Sequence, residues 1–271
     1  ELDLVDPKTK INTKGPIRMG GHKINDYRNN GPELPVWQVI TESSNLGTAR
    51  IAKMIGSEKQ REFLSNLGFT KPTSIEMIEA SGGKPLLPKR WNELETMTIS
   101  YGHGLSATPL HLATGYATLA NGGRLVKPTL LEEEKLGLGQ QIISKEVAKN
   151  SLAMLRGVVT EGTASLADVN GYFVAGKTGT ADKPSAQGGY DKEKNITSFA
   201  SIFPIHEPKY VLVVTLDEAQ DTSGPEPKRT AGWTAVPVSA EIIARVAPLL
   251  GLRPKFDNKS SVGVTLSNWQ E

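Results

Sequence analysis

The 271-residue chain has no cysteine, which removes disulfides, thiolate nucleophiles and zinc–thiolate sites while leaving the redox compartment open. It has no apolar run approaching the length of a membrane span. Its first residues, Glu1-Leu2-Asp3-Leu4-Val5-Asp6, lack the basic start and apolar stretch of a signal peptide, so the chain reads as cut from something longer. It also lacks an excess of one charge: 31 basic against 29 acidic residues leave a formal charge of +2, and no field points to nucleic acid. The acidic run Glu132-Glu133-Glu134 reads as a solvated face. His22, His103, His111 and His206 are scattered without metal-ligand spacing, and nothing in the sequence asks for a metal or a cofactor. What is present is an ordinary globular composition, 38% hydrophobic, with no internal repeat.

Along the chain, residues 1–33 are rich in Gly, Pro and Asn and predict turns and small strands, such as Lys14 to Met19. Helices are predicted over Val36 to Glu42, Leu46 to Ile55 and Glu58 to Leu67, the last closed by Gly68, which puts Ser43 between helices. Residues 79–91 read as a loop. Thr108 and Pro109 predict an N-cap and first position of a helix through Leu119, ended by Asn121-Gly122-Gly123, and Ser144 predicts the cap of another reaching Val158. The last third changes to strands over Tyr172 to Thr178, Ile196 to Phe203 and Tyr210 to Leu216, the last two forming an antiparallel hairpin. A helix from Thr234, as its cap, to Leu250 and a frayed polar tail containing Lys259-Ser260-Ser261 complete the reading.

The most informative segment is Gly176-Lys177-Thr178-Gly179-Thr180, which allows two chemistries. With Gly171 it fits a phosphate-binding loop, and Val211 to Glu218 could then be the strand with a magnesium-binding carboxylate. That reading needs a strand before Gly171 and a helix starting at Lys177. Asp168-Val169-Asn170 is too short and polar for the strand, and Gly179, Asp182, Pro184, Gly188 and Gly189 are loop signals, not a helix. The other reading is Lys-Thr-Gly-Thr ending a strand, where an ammonium beside two hydroxyls holds a substrate carboxylate. Gly179 then leaves room for close backbone approach, and the strand offers an N–H to a developing oxyanion. Ser43 could relay a proton to a leaving amine and Asn45 could bind substrate backbone, although a serine between helices is more often simply a cap. The bland alternatives for Lys177 and Thr180 are a solvated strand-end lysine and a turn residue.

Taken together, Ser43-Ser44-Asn45-Leu46-Gly47, Arg90-Trp91, Ser100 to Leu110, Tyr116 to Gly123, Gly176 to Thr180 and Gly232 to Val238 resemble the class B penicillin-binding proteins, in particular the cell-division branch. The resemblance covers nearly the whole chain. It implies an α/β (α+β) fold, an antiparallel sheet flanked by helices with a helical subdomain, of the penicillin-binding transpeptidase and serine beta-lactamase kind. Residues 1–252 would form a partial domain, helical over about 34–160 and sheet-based over about 171–250, with 253–271 a polar tail. It implies a D,D-transpeptidase that takes D-Ala-D-Ala stem peptides of peptidoglycan through an acyl-serine, with Ser43, Asn45 and Lys177 catalytic and Thr178, Gly179, Thr180 and His103 lining the substrate. It also implies acylation by beta-lactams, division-machinery membrane proteins as partners, and a place on the periplasmic face of the bacterial inner membrane with the anchor outside this chain.

Two features depart from the family. Its Ser-x-x-Lys nucleophile motif should precede Ser43, yet the only such match is Ser81-Gly82-Gly83-Lys84, downstream and in a Gly/Pro loop, so the nucleophile is expected outside this chain. His103 stands where the family commonly has Tyr between two glycines, and it reads as a wall residue and not a base. A non-catalytic penicillin-sensing or division-scaffold domain of the same fold is the alternative. Asp217-Glu218 reads as the polar end of a strand, and the sequon Asn195-Ile196-Thr197 is discounted.

Overall fold

In the computed structural model, the described residues are 1–132, 139–256, Leu266 and Trp269. They divide into two compact units, one within Glu1–Met154 together with Leu266 and Trp269, the other within Leu155–Thr265. Glu133, Glu134 and Lys259-Ser260-Ser261 lie outside the described residues, and the readings made of them stop there.

The first unit opens with short strands. β1 (Lys10–Asn12) pairs antiparallel with β4 (Glu33–Pro35), and β2 (Ile17–Met19) with β3 (His22–Ile24). Three helices follow: α1 (Val36–Thr41), α2 (Asn45–Ile55) and α3 (Ser57–Asn66). Ile11, Leu34, Val36 and Val39 form one buried cluster; Ile24, Leu46, Ala49 and Met97 form another. Gly47 is fixed by packing, because a Cβ there would lie 2.6 Å from the Val39 side chain, so α2 approaches α1 closely only with glycine. The expected loop at 79–91 holds a 3-10 turn, Ile78–Gly82, and Leu86 bridges Ser106. Next come α4 (Glu93–Ser100), with Asn92 and Glu95 forming a reciprocal capping box, and α5 (Pro109–Ala120), capped by Thr108 as the sequence predicts. Ser144 accepts from the Val147 N–H at the start of α6 (Lys145–Thr160).

The second unit is built on a three-stranded antiparallel sheet in the order β5 (Ala175–Pro184), β6 (Tyr190–Phe203), β7 (Tyr210–Asp217). The inner half of β6 is buried continuously from Phe199 to Phe203, as a central strand covered on both faces must be. Against it packs α7 (Ala235–Leu249), whose buried Val236, Ser239, Ile243 and Ala247 recur at helical spacing.

Two expectations are corrected here. The predicted strand Tyr172 to Thr178 begins later, because Phe173 takes φ +44° and turns the chain, and it runs on through Gly179, Asp182 and Pro184. Those residues are tolerated because β6 supplies a partner out to Tyr190 and a register shift at Asp182/Lys183 absorbs the irregularity. The true turn is at the positive-φ pair Gly188 and Gly189. Thr234 precedes α7 but does not cap it with its side chain; its hydroxyl bonds Thr197 Oγ1 at 2.9 Å and the Thr230 carbonyl at 3.1 Å. Past Leu252, the Lys255 N–H donates to the Gly171 carbonyl at 2.9 Å, which holds the start of the expected tail; residues 257–265 lie outside the described residues.

Candidate functional site

In the first unit, the α1–α2 joint consists of two caps back to back. The Ser43 N–H donates to the Ile40 carbonyl and the Ser44 N–H to the Val39 carbonyl, at 3.2 and 2.9 Å, which is the paired ending of a helix whose next residue is left-handed. That residue is Ser43, at φ +57°, where glycine is the usual occupant. The N-cap of α2 is Ser44, whose buried Oγ accepts from the Gly47 N–H at 3.0 Å. The cap expected of Ser43 therefore belongs to its neighbour, and Ser43 is left exposed in a strained conformation. Asn45, half-buried, donates from Nδ2 to the Asn25 carbonyl at 3.1 Å.

His103 lies in the same unit after α4, in an exposed turn between Gly102 and Gly104, both at φ +91°. Its ring stacks on Tyr101 with centroids 6.5 Å apart. Ser81 and Lys84 are exposed, and the Ser81 hydroxyl donates to the Ile78 carbonyl within the 3-10 turn, with no α-helix beginning there.

In the second unit, Lys177, Thr178, Gly179 and Thr180 follow one another on β5, which among the described residues has only β6 as a strand neighbour. Lys177 is half-buried and is the third residue of a long strand, contrary to the solvated strand-end lysine of the bland reading. Burial brings its ammonium down to about 8, and Nζ donates to the Thr178 carbonyl at 3.2 Å. No helix begins at Lys177, so the phosphate-loop geometry is absent from this segment. The hydroxyls of Thr178 and Thr163 meet at 2.8 Å, and Thr180 Oγ1 accepts from the Ala231 N–H at 3.0 Å.

The two glycines of the pentapeptide differ. A Cβ at Gly176 would meet the Ala200 carbonyl oxygen at 2.5 Å and the Phe199 ring at 2.6 Å; at Gly179 nothing lies within 4 Å, and φ is not positive. Gly176 is required by packing, whereas Gly179 keeps an exposed stretch of backbone clear. Asp217 and Glu218 are occupied by Lys183 at 2.6 and 2.7 Å, consistent with the polar strand end. Asn195 is buried and donates to the Arg229 carbonyl, which leaves no accessible sequon.

The profile of the family described as "Penicillin binding protein transpeptidase domain" matches residues 2–243. The chain belongs to that family. A curated relative, the "Probable peptidoglycan D,D-transpeptidase FtsI" of Caulobacter vibrioides, is 32% identical over 258 residues, covering 91% of this chain and 43% of the relative. The chain thus spans less than half the length of that relative. Among solved structures, the apo transpeptidase domain of Burkholderia pseudomallei penicillin-binding protein 3 matches with TM-score 0.83 at 31% identity, covering 93% of this chain and 76% of that one. Penicillin-binding protein 3 of Mycobacterium tuberculosis, solved with aztreonam, matches with TM-score 0.78 at 26% identity, covering 93% and 60%.

For a penicillin-binding transpeptidase domain, the structure gathers the sequence-selected residues into two groups. Ser43 and Asn45 share one turn, with His103 elsewhere in the same unit; Lys177, Thr178, Gly179 and Thr180 share one strand of the other unit. Sequence reasoning missed Ser44 as the cap, Asp26 behind it and Thr163 behind Thr178. Ser44 was legible from capping preference, but Asp26 and Thr163 are joined to their partners only by tertiary folding.

Proposed function

We propose that this chain is part of the catalytic domain of a septal peptidoglycan D,D-transpeptidase. A serine nucleophile supplied from outside these 271 residues attacks the penultimate D-alanine carbonyl of a stem peptide, D-alanine leaves, and an amine on a neighbouring strand then takes the acyl group. The observation that carries the reading is β5, an edge strand joining a half-buried Lys177 ammonium to the unobstructed backbone at Gly179. Lys177, with the Thr178 and Thr180 hydroxyls, binds the terminal carboxylate. The Gly179–Thr180 stretch accommodates substrate backbone and offers an N–H to the oxyanion. Ser43 passes a proton to the departing amine, Asn45 binds the stem peptide, and His103 contacts substrate as a wall residue. Beta-lactams, most of which carry a comparable carboxylate beside the acyl bond, acylate the same nucleophile; that the mycobacterial relative was solved with aztreonam, whose sulfonate is also an anion, supports beta-lactam binding by this family. Division-machinery membrane proteins as partners and a periplasmic site at the inner membrane belong to the same reading. No helix among the described residues is long and apolar enough to cross a membrane, so the reading assigns the anchor to the longer protein.

The test is Lys177→Ala in that longer protein. Removing a charge-assisted hydrogen bond from the transition state costs about 1.5–3 kcal/mol, or roughly ten- to a hundredfold in acylation by a carboxylate-bearing beta-lactam. Because burial already disfavours the ammonium, the melting temperature should hardly fall. Equal acylation rates would refute the assignment.

A further inference from the structure

The loop following β3 reaches the α1–α2 joint and holds it at three points. Asp26 Oδ2 accepts from the Ser44 hydroxyl at 2.7 Å, Asp26 Oδ1 accepts from the Leu46 N–H at 2.8 Å, and the Asn25 carbonyl accepts from Asn45 Nδ2 at 3.1 Å. The first turn of α2 has amide donors with no partner inside the helix. Ser44 satisfies that of Gly47, and Asp26, from 20 residues upstream, satisfies that of Leu46. A carboxylate is favoured at this end of a helix. By engaging its proton, Asp26 also fixes the Ser44 hydroxyl in the rotamer that receives the Gly47 N–H.

We infer that Asp26 is a positioning residue for Ser43 and Asn45: it acts through Ser44 and Leu46 and does not touch substrate. A joint made of a left-handed serine and a following cap is two residues long, so any rotation of α2 against α1 displaces both functional side chains. The carboxylate, bonded on both oxygens, removes that rotation. This inference rests on the proposed acyl-transfer reading, because only there does the placement of Ser43 and Asn45 have a consequence.

The experiment compares Asp26→Ala, Asp26→Asn and the wild type in the longer protein, with Asn92→Ala as a control for stability. Asn92 caps α4 and takes no part in the proposed chemistry, so its loss lowers the melting temperature through a different helix. Two quantities are read: the beta-lactam acylation rate constant, separated from the affinity of the preceding non-covalent complex, and amide hydrogen exchange at Leu46 and Gly47. In Asp26→Ala, exchange at both amides should accelerate and the acylation step should slow by roughly ten- to a hundredfold with affinity little changed. Asp26→Asn, which keeps an acceptor for Leu46, should recover most of the rate, and Asn92→Ala should acylate normally. Asp26→Ala acylating at the wild-type rate, slowing no more than Asn92→Ala, or leaving the two amides protected would overturn the inference. If the wild type itself takes up no beta-lactam, the proposed function falls, and the exchange result still decides whether Asp26 holds the joint.

Discussion

Serine at position 43 works against local stability, since the α1 ending asks for glycine there and an L-residue in the left-handed region costs roughly 1–2 kcal/mol. Substituting Ser43→Gly should therefore leave stability unchanged or raise it by up to about 1 kcal/mol, the gain in strain being partly offset by the freer unfolded chain. In the longer protein the same change should slow acylation by roughly a hundredfold if the hydroxyl relays a proton. A thermal melt and an acylation time course decide this, and a Ser43→Gly protein with normal acylation would remove the residue from the mechanism. Lys177 gives a pH signature with two opposite signs. Its folded pKa, about 8, lies below the ordinary lysine value, so between these the unfolded chain holds a proton that the folded one releases, and stability rises with pH across that window. Relative to Lys177→Met, the wild type should gain stability between about pH 8 and 10.4, with an upper bound of about 3 kcal/mol that solvent around the half-buried side chain reduces. The second-order acylation rate, which needs the ammonium, should fall through the same window. A flat rate profile with normal stability behaviour would contradict the carboxylate-binding role.

At the scale of elements, β5 shows where sequence reading succeeds and where it stops. The helices other than α4 were legible from apolar residues recurring at the helical period, β7 from its continuous apolar run, and α5 from the local chemistry of Thr108-Pro109 and Asn121-Gly122-Gly123, whereas α4 (Glu93–Ser100) was not predicted. The outer half of β5 carries no such signal. From Gly179 onward it is mostly exposed, pairs with β6 alone among the described residues, runs past the end of β7 from Asp182 outward, and contains Gly, Asp and Pro; backbone pairing, invisible in the sequence, makes it a strand. The same strand supplies a paired test. Gly176→Ala should destabilise by about 1–3 kcal/mol, since the Phe199 ring and the Ala200 carbonyl must give way. Gly179→Ala should fold as well as the wild type, because its methyl projects into open space, and should lose acylation, because the proposed function lays substrate backbone there. Denaturant titration beside acylation kinetics would show the separation; loss of stability at Gly179 or normal acylation there would contradict it.

Across the whole molecule, the order of motifs was readable and their setting was not. Ser43-Ser44-Asn45 and Lys177-Thr178-Gly179-Thr180 could be paired by resemblance, but that the first is a double cap clamped by Asp26 and the second, among the described residues, an edge strand braced by Thr163 and Ala231 are facts of tertiary contact. The division into two compact units at Met154/Leu155, inside α6, leaves no mark in composition. In the proposed function these residues assist a nucleophile they do not contain, since the only Ser-x-x-Lys in the chain is the Ser81 to Lys84 turn, with both end side chains exposed. Intact-mass spectrometry after incubation with penicillin tests it most directly, on the 271-residue chain and on the longer protein side by side. A single penicilloyl adduct should form on the longer protein, mapping to a serine outside this chain, and none on the chain alone; an adduct on Ser81 or any other serine of the chain, or none on the longer protein, would overturn the assignment.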